Sequence, residues 1–108
     1  MVRIGSHVGM KAPEYLLGAV KEALSYNATA LMLYTGAPQN TKRKPIEELL
    51  PVEAKALMEE KGISRDAMVI HAPYIINLGN SVKPDTYQLA KDFLKQEIER
   101  VASIGASY

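Results

Sequence analysis

The residues able to do chemistry in this sequence gather in three short stretches. They are His7, then Thr35-Gly36-Ala37-Pro38-Gln39-Asn40, then His71-Ala72-Pro73-Tyr74-Ile75-Ile76-Asn77. An imidazole can ligate a metal, act as a general base, or stand as a satisfied polar group beside a core. Either histidine alone fits all three descriptions. Zinc takes three or four protein ligands, so two histidines in a chain without cysteine do not make a zinc site. Glu47, Glu48 and Asp66 could add carboxylates, although Asp66 opens its strand and so lies at the wrong end. Gln39 and Asn40 carry amides that can bond bases or phosphates, or cap turns. Tyr74 and Ile75 form an aromatic–aliphatic pair. Such a pair either anchors its loop in the core or serves as an apolar wedge of the kind driven between base steps. The dense basic cluster Lys42-Arg43-Lys44 reads as a solvated loop, with a phosphate clamp as the alternative. Phosphate loops, dinucleotide fingerprints and nucleophile elbows do not occur.

The elements that must position these residues follow one plan repeated three times, an apolar run and then a helical pattern. The first run covers 2–8. A turn at 9–12 leads to Pro13, suited to a first helical position, with Glu14 favourable to the helix dipole. Leu16, Val20, Ala23 and Leu24 recur at helical spacing, and Asn27 stands where a left-handed residue would close the helix. The second run, 29–34, is continuously apolar and of strand length, as in a buried parallel strand. After a long connection, 35–50, a helix opens at Pro51, carries Ala54, Leu57 and Met58, and stops at Gly62. The third run, 67–70, ends at His71. A second long connection, 72–83, precedes a helix over 84–103 whose buried stripe is expected to be Ala90, Phe93, Leu94, Ile98 and Val101, closed by Gly105.

Alternating strands and helices predict a parallel α/β architecture. Sequential right-handed crossovers place every helix on one face of the sheet, leaving an Ile, Leu, Met and Val face uncovered. Parallel sheets are normally covered on both faces or closed into a barrel. Three units are thus expected to be the first three-eighths of a (β/α)8 TIM barrel, whose usual length is about 250 residues; the alternative is a three-layer sandwich of different strand order, which needs a helix on the other face. Residues 1–108 are read as a single N-terminal portion, truncated before a fourth strand. In such a barrel, function lies at the C-terminal strand ends, where all three chemical stretches fall. The post-strand connections are long and the helix-to-strand turns short, an asymmetry that favours one functional face. The chain has a net charge of +1 and 47% hydrophobic residues, which fits a globular domain and is less basic than a dedicated nucleic-acid-binding module. No run approaches the about 18 apolar residues of a membrane span, and the opening Met1-Val2-Arg3-Ile4-Gly5 lacks a signal-peptide core. A cytoplasmic location is the default expectation.

Taken together, the strings are more specific than their parts. Ile4-Gly5-Ser6-His7-Val8, Tyr34-Thr35-Gly36-Ala37-Pro38-Gln39-Asn40 and His71-Ala72-Pro73-Tyr74-Ile75-Ile76-Asn77-Leu78-Gly79-Asn80 resemble the endonuclease IV family of zinc-dependent apurinic/apyrimidinic endonucleases. Order and spacing match from the first strand to Tyr108. The resemblance implies a (β/α)8 barrel holding three zinc ions at its C-terminal face. It implies cleavage of the phosphodiester 5′ to an abasic site in double-stranded DNA, leaving a 3′-hydroxyl and a 5′ deoxyribose phosphate. It makes His71 the first zinc ligand. Tyr74 and Ile75 fall in the DNA-penetrating loop, where leucine is the commoner second member. Gln39 and Asn40 fall in the second-strand loop that also enters the DNA, where some relatives carry an arginine. His7 and Asn77 take supporting roles. The remaining family ligands belong to strands four to eight, so the 108 residues alone are expected to be inactive. Their open sheet face is expected to favour self-association or a complementary barrel fragment. Two alternatives stand beside this reading. One is a metal-dependent sugar isomerase or epimerase-type barrel, the other a non-catalytic DNA-binding or fragment-complementing chain.

Overall fold

The computed structural model describes residues 2–79 and 82–108. Met1, Ser81 and Asn80, the last residue of the third motif, lie outside the described residues. Three short strands, β1 (Gly5–His7), β2 (Ala30–Leu33) and β3 (Met68–Ile70), form one sheet in the order β1-β2-β3. Both pairings are parallel: Gly5 lies opposite Ala30, His7 opposite Met32, Leu31 opposite Met68 and Leu33 opposite Ile70. β1 and β2 approach closely at Gly5, where an added Cβ would stand 2.8 Å from the Ala30 carbonyl oxygen. Beyond the last helix the chain returns to the free edge of β3, where the Ile70 amide donates to the Tyr108 carbonyl at 2.8 Å.

Side chains alternate across a strand, so the register assigns the two faces. Leu31, Leu33 and Met68 point into the helical layer and are at most 2% exposed. Gly5, His7, Ala30, Met32 and Val69 share the other face, which no helix among the described residues covers. That face is less apolar than expected: Val69 is 39% exposed, and the large leucines lie on the covered side. The sequence run could not separate the faces, because both look hydrophobic in a continuous apolar stretch.

α1 (Tyr15–Ser25) buries Leu16, Ala19, Val20 and Ala23, one continuous stripe at helical spacing. α2 (Pro51–Lys61) buries Ala54 and Met58, one residue per turn, and packs against α1. Leu49, in the 3-10 turn before α2, completes the core at 1% exposure. Pro13 is not the first helical residue: it stands in the turn that Tyr15 closes by donating to the Lys11 carbonyl, and α1 starts at Tyr15. α3 (Pro84–Ile104) buries Ala90, Phe93, Glu97 and Ile104, and Ile98 is 60% exposed. The expected stripe is therefore turned by one position. Residues 90, 93, 97 and 104 are in helical phase, but the charge on Glu97 removes it from the apolar pattern.

All three helices end in the same backbone closure. Asn27, Gly62 and Gly105 have φ of 56°, 76° and 90°, the left-handed region. The amides of the next residues, Ala28, Ile63 and Ala106, donate to Ala23, Met58 and Val101. This is the six-to-one bond of the Schellman motif, and it is accompanied by burial of the apolar residue that donates. Ala28, Ile63 and Ala106 are 8%, 4% and 8% exposed.

Candidate active-site rim

At the C-terminal ends of the strands, the alternation that exposes Met32 and Val69 carries on into Tyr34 and His71. These two therefore stand on the same face as His7. The His7 and Tyr34 rings lie 5.2 Å apart between centroids, Tyr34 and His71 4.6 Å, and His7 and His71 6.3 Å with nearly parallel planes at 16°. Tyr74 meets Tyr34 edge-on at 5.7 Å and 81°, and His71 at 6.5 Å and 90°. The structure thus brings together His7, His71 and Tyr74, which the sequence singled out. It adds Tyr34, for which the sequence suggested no role. The signal was available: Tyr34 is two residues beyond Met32, hence on the face of both histidines.

Backbone bonds fix the height of this cluster. The His71 amide donates to Leu33 at 2.9 Å, continuing the sheet by one residue. Nδ1 of His71 sits 2.7 Å from the Ala72 carbonyl. With Nδ1–H as the donor, Nε2 keeps its lone pair, the tautomer a metal-binding imidazole needs. The hydrogen bond to Tyr74 holds the Tyr34 phenol above its ordinary pKa, with partial desolvation and the Tyr74 charge adding to the same direction.

The second and third loops are joined where the Tyr74 amide donates to the Pro38 carbonyl at 2.9 Å. Pro73 is buried and anchors the third loop, while Tyr74 is 69% exposed, so Tyr74 is not the residue that tucks into the core. Ile75 is half-buried behind it, and Asn77 is exposed. Gln39 is exposed at the tip of the second loop. Asn40 is half-buried and its side-chain oxygen accepts from the Lys42 amide at 2.9 Å, the turn-capping use of an amide. A depression of 410 Å³ lies beside the cluster between the first and second loops, lined by His7, Met10, Tyr34, Ala37 and Pro38 among others.

The expectation of a solvated Lys42-Arg43-Lys44 cluster fails at its centre. The Arg43 side chain is 6% exposed, and its Nε donates to Glu97 at 2.9 Å. Thr35 donates to the other Glu97 oxygen. The pair was invisible in the sequence because its members are 54 residues apart and each counts as polar.

Zinc calls for three or four protein donors. Among the described residues no group of three or more His, Cys, Asp or Glu could hold a metal ion. His71 fits as one donor on the open face and does not by itself complete a site.

Three comparisons relate the chain to known proteins. A profile of the xylose isomerase-like TIM barrel family matches residues 20–108. "Probable endonuclease 4" of Bacillus cereus strain AH820 is 55% identical over 107 residues, and the protein of that name from Bacillus cytotoxicus is also 55% identical. Both alignments cover 99% of this chain and 35% of the relative, so the chain spans about a third of the length of the curated relatives it matches. The crystal structure of endonuclease IV from Thermus thermophilus superposes with a TM-score of 0.86 at 26% identity, covering 99% of this chain and 38% of that one.

Proposed function

The chain belongs to the xylose isomerase-like TIM barrel family, and from that premise we propose that it serves DNA base-excision repair by zinc-dependent hydrolysis of the phosphodiester 5′ to abasic sites. The observation that carries this reading is Tyr74, an exposed aromatic residue held beside His71 on the rim of an uncovered parallel sheet. A monosaccharide is small enough to be enclosed in a pocket, whereas a protruding aromatic side chain suits an extended duplex, which offers base steps for it to enter. The relatives named endonuclease 4 support the same class.

In this reading His71 would hold zinc through Nε2, with Nδ1 fixed by the Ala72 carbonyl. When bound, the metal would supply a water of lowered pKa and charge to offset that of the scissile phosphate. Tyr34 packs against His71 and His7 and holds the imidazole plane. Tyr74 and Ile75 enter the duplex, which yields most readily at an abasic nucleotide because it has no base to unstack. Gln39 contacts the DNA from the second loop, and Asn40 shapes that loop. His7 and Asn77 support the rim.

The test is incision of a duplex with one abasic site by the gene product that carries these 108 residues, with and without zinc. We expect a 3′-hydroxyl product, loss of cleavage with chelator, and loss of at least about a hundredfold in rate with His71→Ala, a lower figure than the removal of a full metal site would give. Cleavage that survives both chelator and His71→Ala sinks the assignment. The 108 residues tested alone are expected to show no incision, and salt-dependent duplex binding without cleavage would favour the non-catalytic DNA-binding alternative.

A further inference from the structure

A buried and therefore costly ion pair lies where α3 grips the second loop, and it has no place in the chemistry above. Glu97 accepts from Arg43 and from Thr35, and the side chains of the ion pair are 6% and 5% exposed. Arg43 Nη1 in turn donates to the carbonyls of Ala37, Asn40 and Lys42, at 3.3, 3.0 and 2.8 Å. The guanidinium carbon sits 5.0 Å from the centre of the Phe93 ring, also on α3. One turn beyond Glu97, Arg100 donates to the Lys44 carbonyl at 2.8 Å. Gly36 leaves the room this needs, since an added Cβ would lie 2.7 Å from Arg43 Cδ.

A buried ion pair is a poor source of stability, because desolvation consumes most of the attraction and an apolar pair of similar volume does as well. This one also leaves Arg43 Nη2 and Arg100 Nε buried without a partner among the described residues. What an apolar pair lacks is direction. The loop is wound around its own arginine, and Glu97 fixes that arginine in place. Pro38 lies inside the wound segment, and its carbonyl holds the Tyr74 amide. Hydrogen bonds from Arg43 to Glu97 and to the Ala37 carbonyl, the covalent link from Ala37 to Pro38, and the Tyr74–Pro38 bond therefore connect α3 to the third loop.

We propose that Glu97, assisted by Arg100, is the positioning residue for both DNA-directed loops: α3 sets where Gln39 and Tyr74 stand. The inference rests on the DNA-directed reading for its purpose, but its geometry can be read without DNA. The experiment is amide hydrogen exchange on the full chain for the wild type, Glu97→Gln, Thr35→Val and the double variant Arg43→Met with Glu97→Leu. Glu97→Gln is expected to speed exchange at Asn40 and Tyr74 by roughly ten- to a hundredfold, the worth of hydrogen bonds to a charged group. The His71 amide, bonded within the sheet, keeps its rate. The double variant regains the wild-type melting temperature and leaves the Tyr74 amide fast. Thr35→Val keeps the ion pair, folds, and gives the same pattern at smaller size.

Wild-type exchange at Tyr74 in Glu97→Gln and Thr35→Val overturns the positioning role. So does a double variant that restores slow exchange along with stability. Affinity for a duplex carrying a tetrahydrofuran abasic analogue is measured on the same proteins. If the wild type does not bind it while Tyr74 exchange responds as expected, the DNA reading falls and the coupling of the loops stands.

Discussion

At the scale of single residues, the rim separates side chains held for their surface from those held for their bonds. Tyr74 is 69% exposed and its backbone, not its ring, ties it to the second loop. Tyr74→Ala is therefore expected to leave thermal stability within about 0.5 kcal/mol, as for exposed positions generally. Its affinity for abasic duplex should fall about fivefold, the lower end of what one aromatic contact to a base contributes. Fluorescence anisotropy and a melting curve on the same sample check both. Equal affinity for the two proteins would remove Tyr74 from the interface. The gathering of the histidines and Tyr74 at one rim was legible in the sequence because His7 and His71 stand at the ends of apolar runs and Tyr74 lies in the connection just after the third. Arg43 was misread as solvated for a physical reason: a charge is buried only when a partner neutralises it, and the partner here sits on another element.

At the scale of elements, strands were found where the apolar runs placed them, but each was trimmed by neighbours. Residues 29–34 shorten to Ala30–Leu33 because β1 and β3 offer only that much pairing. The helix closures at Asn27, Gly62 and Gly105 were legible because a left-handed residue is a local requirement. The α3 face was not, because it is decided by an ion pair across the fold. Two substitutions separate packing from backbone terms. Leu33→Ala, at a position with no exposure, is expected to cost about 3 kcal/mol through the cavity it leaves. Gly62→Ala meets nothing within 4 Å, yet should cost about 1 kcal/mol because φ is 76° there. Urea unfolding of both variants measures the difference. A neutral Gly62→Ala would mean that the left-handed turn is not what closes α2.

At the scale of the whole molecule, the shape is that of a slab, 47 × 30 × 19 Å, with a radius of gyration of 14.7 Å. A closed globule of this length has a radius of about 13 Å. The thickness corresponds to one sheet and one helical layer, with Met32 and Val69 on the uncovered side. Association through that side is expected to respond to charge placed on it. Val69→Lys should raise the monomer fraction in sedimentation velocity at tens of micromolar without changing the circular dichroism spectrum, concentrations at which exposed apolar patches commonly meet. An unchanged sedimentation profile would assign any association to another surface. The two rims of the slab also differ in how freely their sequences can vary. The lower rim is closed three times by one backbone device that asks only for a left-handed residue and a small or aliphatic one after it. The upper rim depends on particular side chains reaching across the fold. Homologues, natural or engineered, can therefore change most lower-rim residues one at a time, whereas an altered upper loop must bring along its partners on α3, so that loop and helix vary together.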